Sequence, residues 1–206
     1  RDVAPSRGLG DVYKRQVFSL WDTYRNLHQL LTLVYPERQL EMVRSMVGMY
    51  REWGWLPKWE LYGRETFTME GDPSIPVIVD TWMKGLRDFD MDAAYEAMRK
   101  SATTPGARNR MRPDIDPYIE KGYVPLGFYA RDLSGDNSVS HALEYYIADH
   151  ALSLLADSLG KKDDAALFRA RSLGYKNYYS TESGTFRPIT KEGKFLTPFD
   201  PRQGEN

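Results

Sequence analysis

The chain has 206 residues, no cysteine, and 28 basic against 29 acidic side chains for a formal charge of −1. Balanced charge argues against a nucleic-acid binder, which needs a basic face. The absence of cysteine excludes disulfides and thiolate metal sites, and the longest apolar runs are too short to span a bilayer. Aromatics are the one excess, at 13 % with 5 Trp and 14 Tyr, which suits a carbohydrate site or a large helical core.

Arg1–Gln16 are polar and basic, without the apolar segment of a signal peptide. They do not match the helical pattern of the later residues and read as a non-native or disordered leader, with the folded part at 17–206. Phe18–Leu33 predicts an amphipathic helix, with Leu20, Tyr24, Leu27, Leu31 and Val34 at helical spacing. Trp21, Asp22 and Arg25 stand at its head. Helix-start and core preferences explain them first; the same residues would also give a sugar a flat apolar face and charged partners for its hydroxyls. Pro36 breaks the pattern. Glu37–Trp53 predicts a second helix, with Leu40, Val43, Met46, Val47 and Tyr50 on one face and Gly54 as its stop. The short connection makes the pair an antiparallel hairpin.

Next comes an aromatic loop, in which Trp53, Trp55 and Trp59 suit packing against the fold or, less well, a sugar platform. Asp72 or Ser74 suits the N-cap of a third helix, which carries Ile75, Ile78, Val79, Trp82, Met83 and Leu86 around much of its circumference and so reads as an inner helix. Asp90 caps a fourth helix with Met91, Ala94, Tyr95 and Met98. Residues 105–136 read as a long Pro- and Tyr-rich loop of a kind that often carries function. In it Asp114 and Asp116 are better turn formers than an acid/base pair or metal motif. A fifth helix opens near Asp136 and His141, with Val139, Leu143, Tyr146, Ile147, His150, Leu154 and Leu155 as its apolar face, and stops at Gly160. Lys161–Ser180 predicts a sixth helix, with Ala165, Phe168, Ser172, Tyr175 and Tyr179 in register. The tail from Gly184 reads as short extended pieces or a hairpin.

The pattern is an all-α chain of about three helical hairpins joined by long loops, which suits part of an (α/α)6 toroid. In such a fold three clusters fall at helix ends: Trp21-Asp22 with Arg25, Glu70-Gly71-Asp72, and Asp136 with His141. Helix capping is an equal reading of Asp72 and Asp136. His28, His141 and His150 lack the spacing of a two-histidine metal site. No nucleophile elbow or phosphate-binding glycine loop is present.

Leu20-Trp-Asp-Thr-Tyr-Arg, Gly54-Trp-Leu-Pro-Lys-Trp, Met69-Glu-Gly-Asp-Pro-Ser-Ile-Pro-Val-Ile-Val-Asp-Thr, Arg112-Pro-Asp-Ile-Asp-Pro-Tyr and Val139-Ser-His-Ala-Leu-Glu-Tyr-Tyr-Ile-Ala-Asp together resemble glycoside hydrolase family 92. The resemblance implies an inverting, calcium-dependent exo-α-mannosidase acting on terminal α-mannosides of glycans, periplasmic, cell-surface or secreted. Inversion needs a general acid and a general base with room for a water. The family's acid belongs to a Glu-Gly-Asn-Ser-Trp-like segment and its base to a Gly-Asn-Asp-Asp-like one, both expected beyond Asn206, as are the calcium ligands. The chain therefore reads as an internal fragment with no catalytic residue and no metal ligand of its own, inactive alone, marginally stable and with an exposed apolar flank. Asp22 is the leading candidate for binding sugar hydroxyls, with Trp21 and Arg25 beside it and Glu70 and Asp72 behind them. Gln29, where the family pattern has proline, reads as a helix-surface change without effect on the site. The competing readings are another α/α-toroid glycosidase and a helical-repeat binding module without chemistry, against which the long Trp- and Pro-rich loops speak.

Overall fold

The computed structural model describes residues 17–128 and 137–202. The expected leader and the candidate Asp136 lie outside the described residues. These form two units: one holds the chain up to Met69 together with Pro73–Lys100, the other Glu70–Asp72 and the chain from Ser101 onward. No helix among the described residues is long and apolar enough to cross a membrane.

In the first unit the opening helix is broken. A short α1 (Leu20–Thr23) is followed by three non-helical residues, then α2 (Leu27–Val34) and α3 (Pro36–Trp53). Asn26, at φ −155° and ψ −25°, stands outside the helical region at the break, and the Gln29 amide donates to the carbonyl of Tyr24, 2.8 Å away. Gln29 is half-buried and ties the break together, so it is not the surface change expected. The break also turns α2: Leu20 and Tyr24 are buried as expected, but Leu27, Leu30 and Val34 face solvent and Leu33 is 74 % exposed. The buried face of α2 is His28 and Thr32.

His28 organises this unit. Its Nδ1 lies 2.9 Å from Gln39 Oε1 on α3 and its Nε2 3.0 Å from Thr23 Oγ1 on α1. The Gln39 amide donates to Thr81 Oγ1 at 2.9 Å, which turns Oε1 toward the imidazole and selects the tautomer with the proton on Nδ1. Thr81 belongs to α4 (Ser74–Met83), whose Ile75, Val77, Ile78 and Val79 are all buried, as expected of an inner helix. Burial lowers the His28 pKa below its ordinary 6.5, with the Gln39 hydrogen bond opposing. The unfolded chain therefore binds the extra proton more readily than the folded one. His28 contributes fully above pH about 6.5, and the contribution is lost as pH falls through the folded-state pKa. Melting temperature should fall between pH 7 and pH 5, and His28→Asn should flatten that slope; an unchanged slope in the variant would assign it to other groups.

Between α3 and α4 a two-residue hairpin, β1 (Glu60–Leu61) with β2 (Arg64–Glu65), replaces the expected open loop. The Glu65 carboxylate accepts the backbone N–H groups of Lys58 at 2.6 Å and Phe67 at 2.6 Å, and that of Trp59 at 3.1 Å, closing the turn. The three tryptophans are half-buried, and the Lys100 ammonium lies 4.8 Å from the Trp55 ring while donating to the Gly54 carbonyl at the end of α3. That favours packing over a bare platform. α5 (Met91–Thr103) starts where Asp90 Oδ1 accepts the Ala93 N–H at 3.0 Å, the cap expected there.

In the second unit part of the expected loop is helical, α6 (Ile115–Lys121). It packs with α7 (Ser138–Ser158) in a core of Ile115, Tyr118, Val124, Tyr145, Tyr146 and Tyr178. The face of α7 differs from that expected: Tyr145, Ala148, Asp149 and Leu152 are buried, whereas Ile147, His150 and Leu154 are exposed. Apolar residues surround this helix on all sides, so periodicity alone could not choose its inner face. α8 (Lys162–Ser172) is shorter than expected and passes into a 3₁₀ turn, Leu173–Tyr178. A Cβ on Gly174 would stand 2.6 Å from Tyr146 Cε1 and 2.8 Å from the Gly122 carbonyl, so only glycine admits this approach. The tail begins with the hairpin β3 (Tyr179–Ser180) and β4 (Thr185–Phe186).

Candidate functional site

The sequence candidates fall in both units. Trp21, Asp22 and Arg25 belong to the first. The Arg25 guanidinium stacks 4.6 Å from the Trp21 ring and 4.9 Å from that of Tyr24, so one face of the indole is covered by a cation and is not a bare platform. Trp21 Nε1 is buried without a hydrogen-bond partner among the described residues. Asp22 is exposed in α1, and its carboxylate has no hydrogen-bond or ion-pair partner among the described residues. An acceptor group held on a short helix at the surface, with a stacked guanidinium three residues on, can take hydroxyl donors without first breaking an internal bond.

Glu70 and Asp72 belong to the second unit and differ sharply. Glu70 is half-buried, with no partner for its carboxylate among the described residues. Gly71, at φ +81°, lets the chain pass so close to α7 that a Cβ would lie 2.6 Å from Glu144 Cβ. Asp72 then turns inward. It is buried, and its Oδ2 accepts Ser101 Oγ at 2.5 Å and Arg112 Nε at 3.1 Å. It is not a helix cap, since α4 begins without a side-chain cap bond.

Arg112, which sequence reasoning placed only within a motif, is the hub of this cluster. It is fully buried, bonds Asp149 Oδ1 through Nη1 at 2.6 Å, and lies 5.1 Å from the Tyr145 ring. Tyr118 donates to Asp149 Oδ2 at 2.9 Å and Tyr145 to Asp114 Oδ1 at 2.6 Å. Burial alone would lower the guanidinium pKa, but Asp149 and Asp72 outweigh it and hold it above the ordinary value. Burial, then Asp149 for Tyr118 and Asp114 for Tyr145, pushes both phenols well up, so they stay neutral donors. His141 pairs with Asp114, Nδ1 to Oδ2 at 3.6 Å. Asp114 is thus a buried acceptor, and Asp116 holds the turn expected of it by accepting the Gly106 N–H at 2.8 Å. Asp72 Oδ1, Asp114 Oδ2 and Arg112 Nη2 have no hydrogen-bond partner among the described residues, leaving polar capacity that buried groups normally satisfy through ordered water or a ligand. The signal that could have found the hub was Asp149, an acid among Tyr145, Ala148 and Leu152 that has to meet a buried cation.

Among the described residues no three His, Asp or Glu side chains converge so as to hold a metal ion.

Residues 4–206 match the family model of the glycosyl hydrolase family 92 catalytic domain. A curated relative from Arthroderma benhamiae, described as an uncharacterized secreted glycosidase, is 27 % identical over 209 residues, covering 96 % of this chain and 26 % of its own length. The inverting mannosidase BT2199 of family GH92, from Bacteroides thetaiotaomicron, superposes at a TM-score of 0.81 with 32 % identity, over 89 % of this chain and 24 % of that one. The GH92 α-mannosidase BT3965 of the same organism, in complex with mannoimidazole, gives 0.80 and 37 %, over 90 % and 23 %. The all-α fold class expected from the sequence is borne out. The chain spans about a quarter of the length of these relatives.

Proposed function

Because the chain belongs to glycosyl hydrolase family 92, we propose that it is the first half of the (α/α)6 toroid of a calcium-dependent inverting exo-α-mannosidase, supplying sugar-binding rather than catalytic groups. The observation that carries this reading is the 37 % identity, over 90 % of the chain, to an α-mannosidase solved with mannoimidazole. The exposed carboxylate of Asp22 accepts from mannose hydroxyls, and the Arg25–Trp21 stack fixes the edge beside it. Glu70, in the other unit, is a separate candidate acceptor. Asp72 acts from behind, through the Arg112 hub, by holding the segment that presents Glu70. A relative described as secreted fits an exported enzyme acting on glycans outside the cytoplasm.

The test is hydrolysis of terminal α-mannosides by the complete encoded polypeptide, followed by proton NMR. The first sugar released should be β-mannose, as inversion requires. Chelation should lower the rate by about 100-fold or more, with recovery on adding calcium, since a bound metal contributes several kcal/mol in such sites. The 206-residue chain alone should release none. Initial release of α-mannose, activity indifferent to chelation, or turnover by this chain alone would each overturn the part of the reading it addresses.

A further inference from the structure

The hairpin of β1 and β2 turns on two residues, Tyr62 and Gly63, both in the left-handed region at φ +51° and +70°. Two such residues make the tight turn whose twist matches the strands, and asparagine followed by glycine fills it with least strain. A tyrosine in the first place holds a bulky side chain in a backbone region that L residues avoid. Packing does not compensate. Tyr62 is 94 % exposed, more than any other large apolar side chain among the described residues, and its phenol has no hydrogen-bond partner among them. The base of the hairpin is held firmly, by the backbone N–H groups of Lys58, Trp59 and Phe67 on the Glu65 carboxylate. Strain kept at a fixed and exposed position, with no packing in return, points to a function for the side chain.

The same hairpin is built onto the segment that carries Trp21 and Asp22. Trp59 pairs with Ser19, the Leu20 N–H donates to the Lys58 carbonyl at 3.0 Å, and the Glu60 N–H to that of Phe18 at 2.9 Å. β1 is thus tied to the start of α1 within the first unit. The pairing is antiparallel, so the tip runs out on the side away from Asp22, about 10 Å of strand beyond Trp59. A sugar ring held at Asp22 does not reach that far, whereas the sugars that follow it in a glycan do. We propose that Tyr62 is an aromatic platform for the second or third sugar of the substrate, on the leaving-group side of the terminal mannose, and so favours longer glycans. The flat face of the phenol ring covers the C–H face of a pyranose and takes its place against water. The inference rests on the mannosidase reading and adds to it a residue that selects among substrates.

The experiment compares kcat/KM of the complete encoded polypeptide on methyl α-mannoside, which has no second sugar, and on the α-linked mannotriose it cleaves. Tyr62→Asn suits the turn and removes the ring, and Tyr62→Phe keeps the ring. Tyr62→Asn should lower kcat/KM on mannotriose by about 3- to 10-fold, the range of one aromatic contact, and leave methyl α-mannoside within about twofold of wild type. It should melt no lower than wild type, because asparagine adopts the left-handed backbone with less strain. Tyr62→Phe should match wild type on both substrates. Equal loss on the two substrates, no loss on mannotriose, a loss that comes with a lower melting temperature, or a loss in Tyr62→Phe as large as in Tyr62→Asn each overturns the platform. Wild type that cleaves neither substrate overturns the mannosidase reading, and the platform with it. Wild type that cleaves both while Tyr62→Asn is unchanged removes the platform alone.

Discussion

Arg112→Met is expected to be the most destabilising single substitution in the second unit, at about 3–5 kcal/mol, the cost of breaking a buried pair by removing one partner. Asp72 and Asp149 both bond this guanidinium out of solvent. Methionine has the length to refill much of the volume but leaves two carboxylates buried with no cation bonded to them, and that desolvated charge dominates the loss of packing. For a cooperative unit of about 150–250 residues such a loss corresponds to a melting temperature lower by about 10 °C or more, which circular dichroism would read as the displaced transition of that unit in the complete polypeptide. Arg112→Lys keeps the charge but cannot bond Asp72 through Nε and Asp149 through Nη1 at once, so it should fall between. The triple replacement Arg112→Met with Asp72→Leu and Asp149→Leu removes the stranded charges but leaves the buried Ser101 and Tyr118 hydroxyls without acceptors, so it should recover only part of the loss. An Arg112→Met protein melting within a degree or two of wild type would show that the three charges are not coupled as their geometry indicates.

How much of this was legible beforehand varies with the physics of each element. α3 and α5 stood out because a polar outer face, a proline or aspartate start and a clear apolar stripe all agreed. α4 was recognisable as an inner helix from its all-round apolar content. The break in the first helix was not, since nothing in Thr23-Tyr-Arg-Asn interrupts the apolar period; the local Gln29–Tyr24 bond ties the break, and the bond of His28 to Gln39 on α3 goes with the side that turns inward. The same limit hid the inner face of α7. Among the described residues the carboxylates of Asp22 and Glu70 have no partner, while Asp72 is committed to Arg112. The sequence placed Asp72 beside Glu70 without any sign that one would face inward, because that turn is set by Gly71 passing against Glu144. The Arg112 hub joins residues 72, 101, 112 and 149 across long stretches of chain, a pairing that no local pattern encodes.

Asp22 carries the largest effect expected on activity. Asp22→Asn and Asp22→Ala should each lower kcat/KM for α-mannoside hydrolysis by the complete polypeptide by about 10- to 100-fold, the range of losing a hydrogen bond to a charged group. Both should leave the melting temperature unchanged, because the side chain is exposed and bonds nothing among the described residues. That separation distinguishes a ligand contact from a structural role: Asp72→Asn should lose stability and activity together, since Asp72 is held by Ser101 and Arg112. Asparagine keeps one acceptor oxygen, so Asp22→Asn should retain more activity than Asp22→Ala, and the gap between them reports how much of the effect is charge. If the bond is made equally to bound sugar and transition state, the loss falls on KM; if it strengthens as the ring distorts, it falls on kcat. Activity of both variants within about threefold of wild type, below what one charged hydrogen bond contributes, would remove Asp22 from the proposed sugar-binding groups and leave Glu70 as the remaining candidate carboxylate.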